Sequence, residues 1–431
     1  MKIATAIGLD DSAFDLPPIN THRVHELELN EAVDNITSGL DDLDQDYKTI
    51  EGLSRDLGDI NQDYINVIER GDANALATQI GLSSLRSKIN RFGTTYGINV
   101  GVVTNSISME NINANNIGLG LEAVNGMIGD VVRGIKEFIA NTWEKFQDFW
   151  KRNFAEMTRV YKALVRIKKD IVARNGDIPS EIGKMDSPVK FVKVIAPEGD
   201  ISPKLINACV QKQAGMSKDM GKFTESAMLA MEHASKSKPD DLEGINKVFD
   251  TLIEQFRDLQ KNNDSSIVFG DDESPLSKFA TAKIEFNMED GEHRKKFKVK
   301  FVTGRAPYPD DDRFLVFGNK QELLNLVSSC EGLYTITDRL GKGIEKQDRR
   351  FKSLFDKASK NIDRDPKEVE GEDSNVLKEA KANAKFIADI YSQFAGVLPK
   401  MSSFMIRMNL DLIKVVIHYI NTCLDKFQYS K

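Results

Sequence analysis

From Leu29 to Val67 the apolar residues return at steps of four and three: Leu29, Val33, Ile36, Leu40, Leu43, Tyr47, Ile50, Leu53, Leu57, Ile60, Tyr64 and Val67, with one stammer between Ile50 and Leu53. A repeat of this period puts all of these side chains on one helical stripe, and such a stripe has to lie against a partner helix. The pattern predicts a coiled-coil or bundle helix. Gly39, Gly52 and Gly58 each weaken it by about 1 kcal/mol relative to Ala, so it leans on that partner. Asp72 then offers an N-cap to a second amphipathic stretch that runs to Arg91, which predicts a helical hairpin.

Charge separates the parts of the chain. The whole carries 59 Lys and Arg against 66 Asp and Glu over 431 residues, a net charge of −7. Residues 1–110 hold 8 basic and 18 acidic side chains, net −10, whereas residues 133–174 hold 11 basic and 5 acidic ones, net +6. An acidic arm of this kind is able to mask a basic segment, and a basic segment so set apart points to a polyanion or membrane partner. Helix faces that differ in charge only because they are solvated give the same numbers.

Between the two, residues 92–130 are rich in Gly and Asn and almost uncharged, which predicts a connector or extended element. From Ile128 to Arg174 large apolar residues recur every three or four positions, without Gly or Pro from Ile135 to Ala173, so one long amphipathic helix or a tight pair is expected. Both tryptophans, Trp143 and Trp150, lie there among Arg133, Lys136, Lys145, Lys151, Arg152, Arg159, Lys162, Arg166, Lys168 and Lys169. A helix at a membrane interface or docked on DNA has this composition, and these twelve residues are the candidate contacts. A buried helix with snorkelling Lys stems has it too.

Farther on the period shortens. Val189–Ile195, Thr281–Met288, Lys296–Val302 and Arg313–Phe317 read as strands, with a hairpin turn between the second and third, while Lys204–Ser237 and Leu242–Lys261 read as helices. The Lys alternation in Lys296–Val302 reads as a solvated outer face. Residues 321–431 are helical by pattern, with helices expected at Val376–Leu398 and Met401–Phe427 on either side of Pro399. The last of these is the most apolar in the chain, but Arg407, Asp411 and Lys414 make it a core helix rather than a membrane span. The expected fold is mainly α: long helices with a coiled-coil-like N-terminal hairpin, a small antiparallel α+β unit and a C-terminal helical bundle. Its expected parts are an acidic helical portion and possible propeptide at 1–91, a connector at 92–130, the basic aromatic segment at 131–180, the α+β unit at 181–320 and the bundle at 321–431.

Catalytic signatures are not visible. Phosphate-binding loops, a nucleophile elbow, zinc-protease and calcium-loop patterns are missing from the sequence. Asp310, Asp311 and Asp312 read as a solvated turn. Cys209, Cys330 and Cys423 are far apart, which predicts separate reduced thiols, and His22 with His25 after Pro17 and Pro18 reads as a flexible segment rather than a metal site. No enzyme activity, metal or cofactor is expected. The apolar start ends at Asp10 and Asp11, too short for a secretory signal.

The stretch Ser106–Phe154 (SISMENINANNIGLGLEAVNGMIGDVVRGIKEFIANTWEKFQDFWKRNF) resembles the internal head proteins of large tailed bacteriophages, and the likeness covers residues 1–170. In that family an acidic, coiled N-terminal portion precedes a small-x-Glu site and then a helix with Trp and Phe among Lys. The resemblance implies a virion structural protein of the capsid interior, present in the host cytoplasm during assembly. Its partners would be other virion proteins and packaged DNA, with a membrane as a further partner during ejection. It also implies processing by the capsid-maturation protease after Glu110 or Glu122, or, in the Leu-x-Glu form, after Glu31. Small-x-Glu triplets are frequent enough by chance that only their location argues for them. Removing residues 1–110 would leave a remainder of net charge +3, better suited to lying against DNA. The competing expectation is a membrane-active helical protein, because a low-charge Gly-rich stretch before a Trp/Lys helix is how helical pore-forming toxins store a membrane hairpin.

Overall fold

The computed structural model describes residues 21–71, 75–100, 117–174, 184–186, 200–234, 266–269, 281–290, 295–304, 314–362 and 374–429. Among these residues the protein is mainly helical. Its helices are α1 (Thr21–Gly71), α2 (Ala75–Tyr96), α3 (Ile117–Arg152), α4 (Phe154–Ala173), α5 (Pro203–Ala234), α6 (Lys320–Ile362) and α7 (Ser374–Tyr429). At 1.5 Å per residue, α1 and α7 are about 76 and 84 Å long.

The stripe from Leu29 to Val67 is buried along its whole length, none of its twelve residues being more than 7% exposed. It faces several neighbours at once. Helix α7 runs antiparallel to α1 from end to end: Arg23 meets Asp425, Tyr47 meets Ser403, Ser54 meets Ser392, and Asn61 donates to the Lys385 carbonyl. On another side α4 and then α3 also run against α1, Arg166 reaching Glu28, Arg159 reaching Glu31 and Lys145 reaching Asp46. Helix α2 returns along the far half of α1, with Lys88 on Asp63 and the Tyr96 hydroxyl on Asp56. Helix α6 packs on α3, α4 and α7, and α5 closes the assembly against α6 and α7. Asn409 ties the last three together, accepting from Gln213 and Ser217 on α5 and donating to Thr337 on α6.

Several expectations are corrected. His22 and His25 belong to the first turns of α1 rather than to a flexible segment, because His22 is buried and held at both ring nitrogens. The connector expected at 92–130 is helical at both ends: α2 continues to Tyr96 and α3 starts at Ile117. Gly at a helical position costs only about 1 kcal/mol, less than the burial of Val124, Met127, Ile128, Val131 and Val132 returns. Of the two alternatives for residues 128–174, one long helix or a pair, two helices form and meet at Asn153, whose side chain bonds the Phe149 carbonyl. Finally, Pro399 does not divide the C-terminal region, since α7 passes through it without a break.

Among the described residues five strands accompany the helices. β3 (Thr281–Asp290) and β4 (Lys295–Gly304) pair antiparallel over ten residues each, and β2 (Ser266–Phe269) adds to β3, so the order is β2-β3-β4. The outer edge of β4 lies on α7, where the Val299 amide donates to the Gln393 side chain and Phe301 meets Phe404 edge-on. A second antiparallel pair joins β1 (Lys184–Asp186) to β5 (Phe314–Val316). The strand read at Val189–Ile195, the helix read at Leu242–Lys261 and the Asp310–Asp312 turn lie outside the described residues.

Candidate functional site

The aromatic and basic halves of the expected contact surface separate in space. Trp143 and Trp150 are 1% and 8% exposed, so neither indole is available to a membrane or to DNA. Trp143 packs against Phe351 on α6, and Trp150 lies so close over Gly341 of α6 that a Cβ there would overlap its ring. The reason is the width of the apolar arc: α3 is covered by α1 and α2 on one side and by α6 on the other.

Most of the cations are engaged. Lys136 pairs with Asp356, Arg133 with Asp130 and Lys145 with Asp46. Lys151 stands 3.6 Å from Asp148, Arg159 bridges Glu31 and Glu156, Arg166 holds Glu28, and Lys168 holds Glu331. Arg152, Lys162 and Lys169 are exposed and make no ion pair among the described residues.

Helix α1 therefore lies between two rows of cations. On the α7 side Lys400 meets Glu51 at 2.7 Å, Arg407 meets Asp41 at 2.6 Å and Lys414 meets Asp34 at 2.6 Å. On the α3–α4 side Lys145, Arg159 and Arg166 meet Asp46, Glu31 and Glu28. Exposed pairs of this kind contribute about 0–1 kcal/mol each, so they set register and orientation rather than hold the helix down. Beside Lys145 the α1–α3 seam opens into a cleft of about 720 Å³ whose rim carries Asp42, Glu144, Asp148 and Arg152.

Where α1 begins, the seam ends in a compact polar clasp. Arg174 can only donate, so Nδ1 of His22 accepts from its guanidinium at 3.1 Å and Nε2–H donates to Asp425 at 2.7 Å. Asp425 also receives Arg23. Glu26 accepts from His418 at 2.5 Å, from Arg23 at 2.6 Å and from Asn421 at 3.2 Å. Lys320, at the start of α6, caps the end of α4 through the carbonyls of Val172 and Arg174. Burial raises the pKa of Glu26, but His418 and Arg23 outweigh it and hold the carboxyl at about 2. Burial lowers the pKa of His22, with Arg174 and Arg23 acting in the same direction and Asp425 opposing.

No family model matches this chain, and no curated protein or solved structure matches it.

Of the expected cleavage positions, Glu31 and Glu122 both lie within helices, α1 and α3, and Glu110 lies outside the described residues. The Leu29 that precedes Glu31 is fully buried. The clasp was not legible in the sequence, because His22 and Asp425 are 403 positions apart. Among the described residues no group of His, Cys, Asp and Glu is placed to hold a metal ion, and no helix is long and apolar enough to cross a membrane.

Proposed function

We propose that this protein is a membrane-active helical protein of the pore-forming type, described here in its closed arrangement. The observation that carries the reading is the fate of the low-charge stretch. Its second half forms the start of α3, where Val124, Met127, Ile128, Val131 and Val132 are all buried. An apolar segment stored under other helices is what a protein needs if it is to be exported from its own core into a bilayer. In this reading α1 and α2 act as a coiled-coil-like hairpin over that segment and the C-terminal helices act as the bundle it leaves. Since no described helix crosses a membrane alone, the span is assembled from amphipathic helices that turn their polar sides toward one another.

Dye release from lipid vesicles tests this, with a reversible lock as the control. A Cβ built on Gly396 of α7 lies 3.6 Å from Cβ of Ile50 on α1, within the range a disulfide spans. The double substitution Ile50→Cys and Gly396→Cys, oxidised, keeps α1 on α7 and abolishes release; reduction restores it. Absence of release by the reduced and wild-type proteins on every vesicle composition rejects the reading.

A second reading, the phage virion protein of the capsid interior, is favoured by one observation: the acidic α1 lies over cations of α3, α4 and α7, as a removable arm over a basic segment would. Against removal stands the apolar stripe. Twelve buried side chains at about 2 kcal/mol each represent on the order of 20 kcal/mol, more than the about 5–15 kcal/mol that stabilises a whole domain. An arm cut after Glu110 therefore stays in place until something else covers the exposed faces. Peptides from this chain in purified virions, with a new N-terminus after Glu110, support this second reading; their absence ends it.

A further inference from the structure

The outward side of α4 is amphipathic in its own right. Its inner arc, Met157, Val160, Ala163, Leu164, Ile167 and Ile171, is buried in the core. Along the edge of that arc, beside α6, Phe154, Tyr161 and Val172 are 55%, 45% and 58% exposed. At about 100° per residue these three fall within about 20° of one line, and the line is about 27 Å long. Lys162 and Lys169 flank it about 60–80° to one side. Both lysines are exposed, and neither makes an ion pair among the described residues. Neighbouring Arg159 and Arg166 turn instead toward α1 and its glutamates.

We propose that this face of α4 is a docking surface for an anionic lipid bilayer, with Phe154, Tyr161 and Val172 entering the interface and Lys162 and Lys169 meeting the headgroups. The inference rests on the membrane-active reading and names its first contact. Apolar residues in line with basic side chains beside them match the layering of an anionic bilayer, where hydrocarbon begins just beneath the phosphates. Lysine stems reach upward from such a line and keep their charge in the headgroup layer. Nucleic acid is served less well, because bases need an open aromatic face. One face of Tyr161 is covered by Tyr334, with the rings 5.3 Å apart and stacked, and Lys342 sits over the ring of Phe154. Val172 offers a phosphate backbone nothing.

Co-sedimentation of the full chain with vesicles of phosphatidylcholine, with and without phosphatidylglycerol, tests the proposal. Wild type binds the anionic vesicles more tightly and loses affinity with added salt. Lys162→Gln with Lys169→Gln weakens that binding roughly thirtyfold, about fivefold per lysine, and Phe154→Ser weakens it further. These side chains are exposed, so the fold tolerates the changes; as a second measurement, an environment-sensitive dye on Thr158→Cys shifts to the blue when anionic vesicles are added. Equal binding to both vesicle types, or full binding by the double variant, overturns the docking surface while leaving dye release intact as evidence for membrane action. Binding to duplex DNA without binding to anionic vesicles overturns it in favour of a nucleic-acid surface. No binding and no dye release with any vesicle overturns both readings together.

Discussion

Trp143 donates its indole Nε1–H to the carbonyl of Ala395 at 3.3 Å. That carbonyl lies four residues before Pro399, which has no N–H to give it, so an indole from α3 supplies the donor that α7 lacks. A proline inside a helix costs about 3 kcal/mol, partly through the orphaned acceptor. Here the acceptor is satisfied from outside, and α7 runs on to Tyr429.

A double-mutant cycle measures this relationship. Trp143→Phe loses the donor and some packing and costs about 2–3 kcal/mol in urea unfolding. With Pro399→Ala in the background, the backbone N–H restored at that position bonds the Ala395 carbonyl, and the Trp143→Phe cost falls by about 1 kcal/mol. Additive costs would mean that the indole and the proline are independent.

Glycine substitutions separate close contact from helix propensity. Gly221 on α5 has nothing within 4 Å of an added Cβ, so Gly221→Ala stabilises by about 1 kcal/mol. Gly341 lies under the Trp150 indole, and Gly341→Ala destabilises by about 1–3 kcal/mol through overpacking. Thermal unfolding reads both signs, and a stabilising Gly341→Ala would show that the indole moves freely.

Acid weakens the clasp in two stages. The pKa of His22 is below its usual 6.5 in the folded protein, so its contribution is complete above pH 6.5 and is lost as the pH falls below that value. A second proton on the ring would face Arg174 with no acceptor. Glu26 is held at about 2 against an ordinary 4.5, so its contribution, on the order of 3 kcal/mol, is present above pH 4.5 and is lost toward pH 2. Between pH 6.5 and 5.5 unfolding free energy falls more in wild type than in His22→Gln, by up to about 1.4 kcal/mol per pH unit. Parallel pH profiles for the two proteins would exclude His22 from the effect.

Thiol chemistry reports on opening. Burial pushes Cys209 up to about 12 and Cys423 up to about 11, and it raises Cys330 as well. At pH 8 a disulfide reagent titrates none of the three thiols in the folded protein and all of them in denaturant. If vesicles open the protein as proposed, the count rises on their addition.

The heptad stripe, the Lys296–Val302 strand and the apolar C-terminal region were legible because a helix or strand writes its period into neighbouring residues. The basic aromatic segment was legible as amphipathic helix, in one piece or two, but not as a site. Period tells which residues share a face; it does not tell how many faces a neighbour covers. Only packing shows that Trp143 and Trp150 point inward, that most cations meet carboxylates, and that Phe154, Tyr161, Arg152, Lys162 and Lys169 are left outside.

By itself, then, the sequence determined that the protein is mainly helical, which stripes are apolar and where charge of each sign collects, since all of these depend on residues a few positions apart. Tertiary structure decided which charge meets which, that Pro399 does not end its helix, and that His22, Glu26, His418 and Asp425 form one cluster. Those outcomes depend on partners hundreds of positions away, the donor to Ala395 at 252 and the acceptor of His22 at 403, and no local period records them.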